Sequence, residues 1–349
     1  MKMMDFNSVK GKVAIVTGAS RGIGRAIAEC FGENGMKVVC AARSAEQGQA
    51  VADGICAKGG DAIFIQTDCS KASAIKELVD KTVAHYGKLD GVVSNAGIGM
   101  GGTPLHEYEV EDYEKIFSLN SEGVFAGMKY GAEAILKSHS EGGFLINVAS
   151  VAGLVPQRGQ ALYSATKFGV VGMTRAAALD YAEYGITVNA IAPGWIDTPM
   201  FHKATDNDPP RLAKIMGRIP AKSVGDPMDV GMCAAFLCSD AARYISGTCI
   251  PVDGGALINA ERIAKMKDGV CIINTSRGTN VDEAALLDAL NSGKVRAAGL
   301  DVYADEPATN KALYSHPMVS CTPHIGAATV EAQKRIGAEI VDIITNFGK

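Results

Sequence analysis

Short apolar runs alternate with stretches of helical periodicity along most of the chain. Seven of these runs are predicted strands, near residues 12–16, 37–41, 62–66, 91–94, 143–149, 187–192 and 248–252. The segments between them place apolar residues at helical spacing. Strands that alternate with helices in this way form a parallel sheet that is covered on both faces. The pattern therefore predicts an α/β protein with a doubly wound parallel sheet.

The same alternation continues beyond residue 257, but it is shorter. Strands are predicted at 270–274, 297–301 and 318–322, with helices at 282–291 and 328–345. A sheet of this size leaves an open edge and an uncovered face. We therefore predict two domains, a main domain over 1–257 and a smaller α/β extension over 258–349.

Composition narrows the classes of function. The chain has 349 residues, 47% of them hydrophobic, and a net charge of −4 without a lysine–arginine run, which argues against nucleic-acid or anionic-membrane binding. Nine scattered cysteines without a Cys-x-x-Cys pair indicate buried thiols in a reducing cytoplasm. The six histidines show no metal-binding spacing, and no apolar segment has the length of a signal or a membrane span.

The first chemical motif is a glycine turn between the first strand and the first helix, from Thr17 to Gly24. Gly18, Gly22 and Gly24 allow the backbone to approach a pyrophosphate, and the helix then supplies free amides at its positive end. The spacing Gly-x-x-x-Gly-x-Gly differs from the general dinucleotide fingerprint. A glycine turn without a ligand is the alternative for this loop taken alone.

A second motif combines Ser150 with Tyr163 and Lys167. Tyr163 and Lys167 are four residues apart and share one face if the segment is helical. A nearby ammonium favours the phenolate, so the tyrosine becomes a usable acid–base group. Ser150 ends a predicted strand, where its hydroxyl can stabilise a developing oxyanion.

These motifs, together with Asn95-Ala-Gly97, Asn120 and Pro193-Gly194, resemble the short-chain dehydrogenase/reductase family over residues 1–257. The resemblance implies a Rossmann-like domain in which Tyr163 is the acid–base group and Lys167 lowers its pKa and holds the ribose. Ser150 would polarise the carbonyl, and Asn120 would hold a water in a proton relay. The cofactor-binding residues implied are Gly18, Ser20, Arg21, Gly22, Ile23, Gly24, Arg43, Ser44, Asp68, Asn95, Ala96, Gly97, Tyr163, Lys167, Pro193, Gly194, Ile196 and Thr198.

The end of the second strand predicts the choice of cofactor, because the ribose 2′ position is recognised there. Enzymes that use NAD usually carry an acidic residue near Ala42, and none is present. Arg43 follows instead, and Arg21 stands in the glycine turn. Two guanidinium groups suit a 2′-phosphate, so NADP(H) is favoured, with NAD(H) as the alternative.

From about residue 258 the sequence resembles a second family. Segments around Arg277, Glu306 and His324 resemble the cofactor domain of D-2-hydroxyacid dehydrogenases, in which the matching residues grip a carboxylate and move a proton. No glycine fingerprint precedes them, so we expect an extension without its own activity. The alternatives are a second active site, a cover over the first site, a surface that changes oligomer contacts, and an accidental join of two coding sequences.

The function expected is the interconversion of a ketone and a secondary alcohol. Apolar residues predicted near the pocket favour a steroid-like alcohol; they are Ile98, Met100, Leu154, Val155, Trp195, Met200 and Phe201. Basic residues after the last motif would suit a 3-oxoacyl-carrier-protein reductase instead; they are Lys203, Arg211, Lys214, Arg218 and Lys222. The segment 195–222 is either a substrate lid or a surface loop. A small-molecule substrate and a homo-oligomer, dimer or tetramer, are expected, and the non-enzymatic alternative is a dinucleotide-binding scaffold.

Overall fold

A computed structural model describes residues 7–138, 142–156, 158–255, 263–264, 266–274, 281–304 and 308–322. The chain divides into two compact units, one of residues 1–212 and 224–253, the other of residues 213–223 and 254–349. The boundary expected between residues 257 and 258 lies outside the described residues, so it stays a prediction. The assignment of residues 213–223 to the second unit was not foreseen from the sequence.

The first unit contains a seven-stranded parallel sheet. Its strands are β1 (Val13–Thr17), β2 (Lys37–Ala42), β3 (Asp61–Gln66), β4 (Gly91–Ser94), β5 (Gly143–Val148), β6 (Ile186–Pro193) and β7 (Cys249–Val252). The order is β3-β2-β1-β4-β5-β6-β7, and every neighbouring pair is parallel. All seven predicted strands are confirmed. The order reverses between β1 and β4, where the carboxyl ends of an open sheet form a crevice.

Helices cover both faces of this sheet, as the alternating pattern predicted. The helices along this part of the chain are α1 (Gly22–Glu33), α2 (Ala45–Ala57), α3 (Ala72–Tyr86), α4 (Val110–Phe117), α5 (Gly123–Lys137), α6 (Ala161–Tyr181), α7 (Pro199–Thr205), α8 (Pro209–Met216) and α9 (Pro227–Leu237). Buried side chains of α1, α2 and α9 form one core, and those of α3, α5 and α6 form the other. The doubly wound α/β fold is confirmed.

The second unit contains a three-stranded parallel sheet in the order β10-β9-β8. Its elements are β8 (Val270–Asn274), α10 (Glu283–Asn291), β9 (Val295–Leu300), α11 (Lys311–Tyr314) and β10 (Val319–Cys321). Leu286 and Leu290 of α10 pack with Ile272, Ala298 and Leu300 in a core of its own. The three strands and the first helix were predicted, whereas the helix predicted at 328–345 lies outside the described residues.

Within the part of the chain that the structure describes, no helix combines the length and the apolar content that a membrane span requires. All nine cysteines are free thiols. Cys30, Cys40, Cys69 and Cys238 are buried, and burial raises the pKa of Cys30 to about 11 and that of Cys69 to about 12. Thiols in this state are poor nucleophiles at neutral pH.

Candidate active site

The ends of β1 and β4 are joined by the hydroxyl of Thr17. Its Oγ1 accepts hydrogen bonds from the amides of Asn95 (2.9 Å) and Ala96 (3.0 Å), and it donates to the Val93 carbonyl at 3.3 Å. The Asn95 side chain in turn donates to the Thr17 carbonyl at 2.8 Å. These bonds hold the glycine turn and the Asn-Ala-Gly loop together at the crevice. Thr17 is a positioning residue that the sequence motif contained without revealing this role.

The glycine turn is a cradle that side chains would fill. Gly18 and Gly22 have φ angles of +67° and +56°, in the left-handed region that favours glycine. A Cβ on Gly24 would overlap the Gly18 carbonyl. A Cβ on Gly18 would lie 2.9 Å from Nδ2 of the Asn95 side chain. The first turn of α1 carries no acidic residue. The positive end of α1 is therefore free of competing negative charge from its own first turn, as in helix ends that bind anions.

Arg21 of the glycine turn is exposed, and so are Arg43 and Ser44 after β2. The Ala19 amide donates to the Ala41 carbonyl at 3.2 Å, which brings the glycine turn to the end of β2. The Ser70 hydroxyl bond is the main reason why the pKa of Asp68 is lowered, and the charge of Arg43 contributes to the same shift. Arg43 therefore has a carboxylate neighbour, which the sequence analysis did not anticipate.

Asn120 lies at the centre of a π-helical segment, Ser118–Glu122, between α4 and α5. Such single π turns are frequent at functional sites because they redirect a side chain. The Asn120 side chain accepts from the Ile98 amide and donates to the Ile98 carbonyl, both at 2.9 Å. A Cβ on Gly97 would lie 3.2 Å from Asn120 Oδ1 and 3.7 Å from Lys167 Nζ. Gly97 thus brings Asn120 and Lys167 together.

The Tyr163–Lys167 pair lies near the start of α6, on a helix as predicted. Lys167 is buried, and its Nζ donates to the Val148 carbonyl at 2.8 Å. The ammonium is 5.8 Å from the centre of the Tyr163 ring. Burial lowers the pKa of Lys167 to about 8. The ammonium is thus anchored to a backbone carbonyl at the end of β5.

The expected direction of the tyrosine shift is wrong for this arrangement. Burial raises the pKa of Tyr163 above its usual range, while a hydrogen bond with the Ser150 hydroxyl acts in the opposite direction. The physical reason is that removal from water destabilises the phenolate. In addition, the Lys167 ammonium donates its hydrogen bond to the Val148 carbonyl and not to the Tyr163 oxygen. Ser150 itself accepts from the Ala152 amide at 3.1 Å, which fixes its hydroxyl beside the tyrosine.

The segment after β6 returns to the glycine turn. Pro193 ends β6, and the Gly194 amide donates to the Val252 carbonyl at 2.9 Å. Ile196 is buried in the core. A Cβ on Gly22 would lie 3.3 Å from Thr198 Cγ2. The structure therefore brings Thr198 to the glycine turn.

A glycine-rich loop, residues 97–104, borders the site. The Gly102 and Thr103 amides donate to the Gly159 carbonyl at 2.9 and 3.3 Å, and the Tyr108 hydroxyl donates to the same oxygen at 3.2 Å. The contact with Gly159 joins segments that are distant in the sequence, and no motif indicated it. The repeated glycines of this loop were the available signal, since they permit such close contacts.

The predicted pocket residues differ in exposure. Ile98, Met100, Leu154, Val155 and Trp195 are partly buried, and Met200 is 53% exposed. Phe201 is buried, and its ring lies 6.2 Å from that of Trp195. Phe201 therefore contributes to packing beneath the surface of α7.

The catalytic residues of the second resemblance cannot be placed. Arg277, Glu306 and His324 lie outside the described residues. At the carboxyl ends of β8, β9 and β10 the structure describes Asn274, Asp301 and Thr322. The Asp301 carboxylate accepts from the Thr322 hydroxyl at 2.5 Å, and the Asp301 amide donates to the Asn274 carbonyl at 3.0 Å. These polar groups satisfy one another.

Comparison with known families covers both parts of the chain. A family described as "Enoyl-(Acyl carrier protein) reductase" matches residues 18–256. A family described as "D-isomer specific 2-hydroxyacid dehydrogenase, NAD binding domain" matches residues 241–326. The second match thus overlaps the end of the first.

Curated relatives match the first part over almost their whole length. A 2,5-dichloro-2,5-cyclohexadiene-1,4-diol dehydrogenase of Sphingobium indicum is 38% identical over 72% of this chain and 98% of its own. A 3beta-hydroxysteroid dehydrogenase 1 of Eggerthella lenta is 39% identical over 72% of this chain and 95% of its own. A 3-oxoacyl-[acyl-carrier-protein] reductase of Staphylococcus aureus is 40% identical over 70% of this chain and 97% of its own.

Solved structures that are similar to this chain match a similar share of its length. A dehydrogenase/reductase from Sinorhizobium meliloti 1021 superposes with a TM-score of 0.67 and 35% identity, over 73% of this chain and 98% of its own. A blue fluorescent protein from a metagenomic library, solved in complex with NADPH, superposes with a TM-score of 0.66 and 32% identity. The match covers 71% of this chain and 99% of that protein.

Proposed function

Because the chain belongs to the short-chain dehydrogenase/reductase family and is thus an oxidoreductase, we propose that its first unit interconverts a ketone and a secondary alcohol with NADP(H). The reaction takes place where β1, β4, β5 and β6 end. The observation that carries the proposal is the convergence of four side chains at this edge. Ser150 bonds to Tyr163, and Gly97 brings Asn120 and Lys167 together.

Each of the four residues has a defined part. Tyr163 transfers the proton to or from the substrate oxygen, since it is the partly buried acid that the Ser150 hydroxyl contacts. Ser150 donates to the same oxygen and stabilises developing negative charge. Lys167, held by the Val148 carbonyl, hydrogen-bonds the ribose and supplies positive charge. Asn120 would hold a water molecule in a proton relay, since two hydrogen bonds to Ile98 fix its side-chain amide in place.

The cradle of Gly18, Gly22 and Gly24 would hold the pyrophosphate, and Asn95 and Gly97 would line the nicotinamide side. Asp68 would meet the adenine. When bound, the nicotinamide supplies or accepts the hydride. Arg21 and Arg43 would bind the 2′-phosphate with paired donors, which is the basis for preferring NADP(H) over NAD(H).

The substrate that we favour is a ring ketone or ring alcohol of the hydroxysteroid kind. The names of two relatives, a cyclohexadiene-diol dehydrogenase and a hydroxysteroid dehydrogenase, share an alcohol carried on a ring. The partly buried apolar residues Ile98, Leu154 and Val155 suit such a ring. The second candidate is reduction of a 3-oxoacyl carrier protein, which the Staphylococcus aureus relative supports by its name.

We also propose that the second unit has no activity of its own, since its end-of-strand groups Asp301 and Thr322 bond to each other. The working form is proposed to be a homo-oligomer, a dimer or a tetramer, acting on a small molecule in the cytoplasm.

The test is an activity panel on the full-length protein. Oxidation of NADPH and of NADH is followed with a steroid ketone, a 3-oxoacyl thioester and a 2-keto acid. We expect turnover of the ring ketone with NADPH. Turnover of the thioester alone would favour the reductase, and turnover of the 2-keto acid alone would contradict the proposal.

A further inference from the structure

The carboxamide of Gln160 is a polar group near the site without a hydrogen-bond partner among the residues that the structure describes. A Cβ built on Gly101 would lie 2.9 Å from Gln160 Cγ and 3.2 Å from Gln160 Nε2, so the side chain lies directly against this glycine. Gln160 is partly buried. Its side chain makes no hydrogen bond to any residue within the described ranges. Two donors and an acceptor are therefore available to a ligand.

Gln160 lies close to Tyr163 in the chain, and its neighbour Gly159 is bonded to the glycine-rich loop. Gln160 is the N-cap residue of α6, and Tyr163 follows three positions later in the first turn of that helix. The preceding carbonyl, that of Gly159, accepts hydrogen bonds from Gly102, Thr103 and Tyr108. These bonds anchor the backbone just before Gln160 at the glycine-rich loop, which keeps the Gln160 side chain near Gly101.

The same loop has an apolar contact two residues earlier. A Cβ on Gly99 would lie 3.2 Å from the sulfur of Met200, which is 53% exposed on α7. The thioether of Met200 thus lies against Gly99, and the carboxamide of Gln160 lies against Gly101. A substrate that lies along this loop meets an apolar surface and, beside it, one hydrogen-bonding group.

We propose that Gln160 is a specificity-determining residue that hydrogen-bonds a second oxygen of a ring alcohol. The preferred substrates are then cyclic diols and hydroxyketones rather than ring alcohols with a single oxygen. The inference rests on the proposed function, since it needs Tyr163 to act on the first oxygen. The physical basis is that an apolar ring placed against a hydrated carboxamide leaves that carboxamide unpaired, whereas a second hydroxyl replaces its lost water.

The experiment compares oxidation of cyclohexane-1,4-diol and of cyclohexanol by the full-length protein with NADP⁺. We expect the wild type to prefer the diol by about tenfold in kcat/KM, the effect of one good hydrogen bond. Gln160→Leu should remove this preference by raising KM for the diol, while kcat and all values for cyclohexanol stay within about twofold.

A second variant tests the same geometry without changing Gln160. Gly101→Ala places a methyl group against the flexible carboxamide and should displace it, so it should reproduce the loss of diol preference. Gly54→Ala on α2 is the matched control, because a Cβ there meets nothing within 4 Å.

The outcomes separate the inference from the function on which it rests. A wild type that oxidises both alcohols equally well, or a Gln160→Leu variant that loses both activities alike, overturns the inference and leaves the proposed function standing. A wild type that oxidises no alcohol with either cofactor overturns the proposed function, and the inference with it.

Discussion

The two parallel sheets of this chain show what separates a strand pattern from an active site. In the first unit every residue of β1 is buried, and Ser150, Tyr163, Asn120 and Lys167 converge from a loop, a helix and a π-helical segment. In the second unit β8 alternates, with Cys271 and Ile273 exposed. The polar groups at its strand ends bond to one another. A strand pattern alone therefore does not make a site, because polar side chains must also converge at one edge of the sheet.

The largest effect is expected from removing the acid–base group. Tyr163→Phe should lower turnover of a ring ketone on the order of a thousandfold, since proton transfer to the substrate oxygen is lost. Binding of NADPH, followed by fluorescence titration, should be nearly unchanged. Tyr184→Phe is the control, because Tyr184 is 51% exposed and far along the chain from the motif.

Full retention of activity in Tyr163→Phe would remove the chemical difference between the two sheets. It would also favour the scaffold alternative, in which dinucleotide binding is the whole function.

The next effect concerns the cofactor. Arg43→Ala should lower kcat/KM for NADPH by about tenfold to a hundredfold, because a charge-assisted bond to the 2′-phosphate is lost. Values for NADH should change little, since NADH lacks this phosphate. Arg25→Ala is the control, as Arg25 is an exposed arginine that is already paired with Glu29 at 2.8 Å. An equal loss with both cofactors would contradict the assignment of Arg43.

A third prediction separates stability from activity. Burial lowers the pKa of Lys167 from 10.5 to about 8, so the folded state holds the protonated form at a cost below pH 8. This cost fades as the pH rises from about 8 to 10.5, because the unfolded chain then binds more protons than the folded one. Lys167→Met should therefore stabilise the protein by about 2 kcal/mol at pH 7, after the lost bond to Val148 is subtracted.

The measurement is the free energy of unfolding by urea at pH 7 and again near pH 10.5, where the gain should have vanished. The same variant should be inactive. A loss of stability at pH 7 would show that the hydrogen bond to the Val148 carbonyl outweighs the cost of burial.

The smallest effect on activity is expected from the second unit. The Glu283 carboxylate accepts from the Ala304 amide and the Tyr314 hydroxyl, at 2.8 and 2.9 Å, and from the Asn310 side chain at 3.3 Å. Glu283→Ala should destabilise this unit by about 1–2 kcal/mol. Hydrogen exchange over residues 283–291 should rise, while turnover of the ring ketone should stay within twofold. A parallel loss of turnover would show that the two units act together.

The sequence was a good guide where one pattern determines one feature. Each strand is centred on a short run that is mostly apolar, so all ten described strands could be predicted from the sequence. Ser150 could be placed at the end of β5 because that run stops there. The glycine turn was recognised because its conformation requires glycine.

Features that depend on contacts between distant segments were missed. The π segment that points Asn120 towards Ile98 has no local signature, since its residues suit an ordinary helix. The anchoring of Gly159 by residues 102–108 and the contact of Gln160 with Gly101 arise only in the fold. The direction of the Tyr163 shift was wrong because the sequence shows a neighbouring lysine but not the burial that opposes it.

The central claim is that the first unit performs the chemistry and the second does not. The most direct test measures NADPH and NADH oxidation by full-length wild type and by His324→Ala, each with a ring ketone and with a 2-keto acid. The account predicts equal turnover of the ring ketone by both proteins, with no activity on the 2-keto acid. Turnover of the 2-keto acid that disappears in His324→Ala would contradict it, because the second unit would then carry an active site.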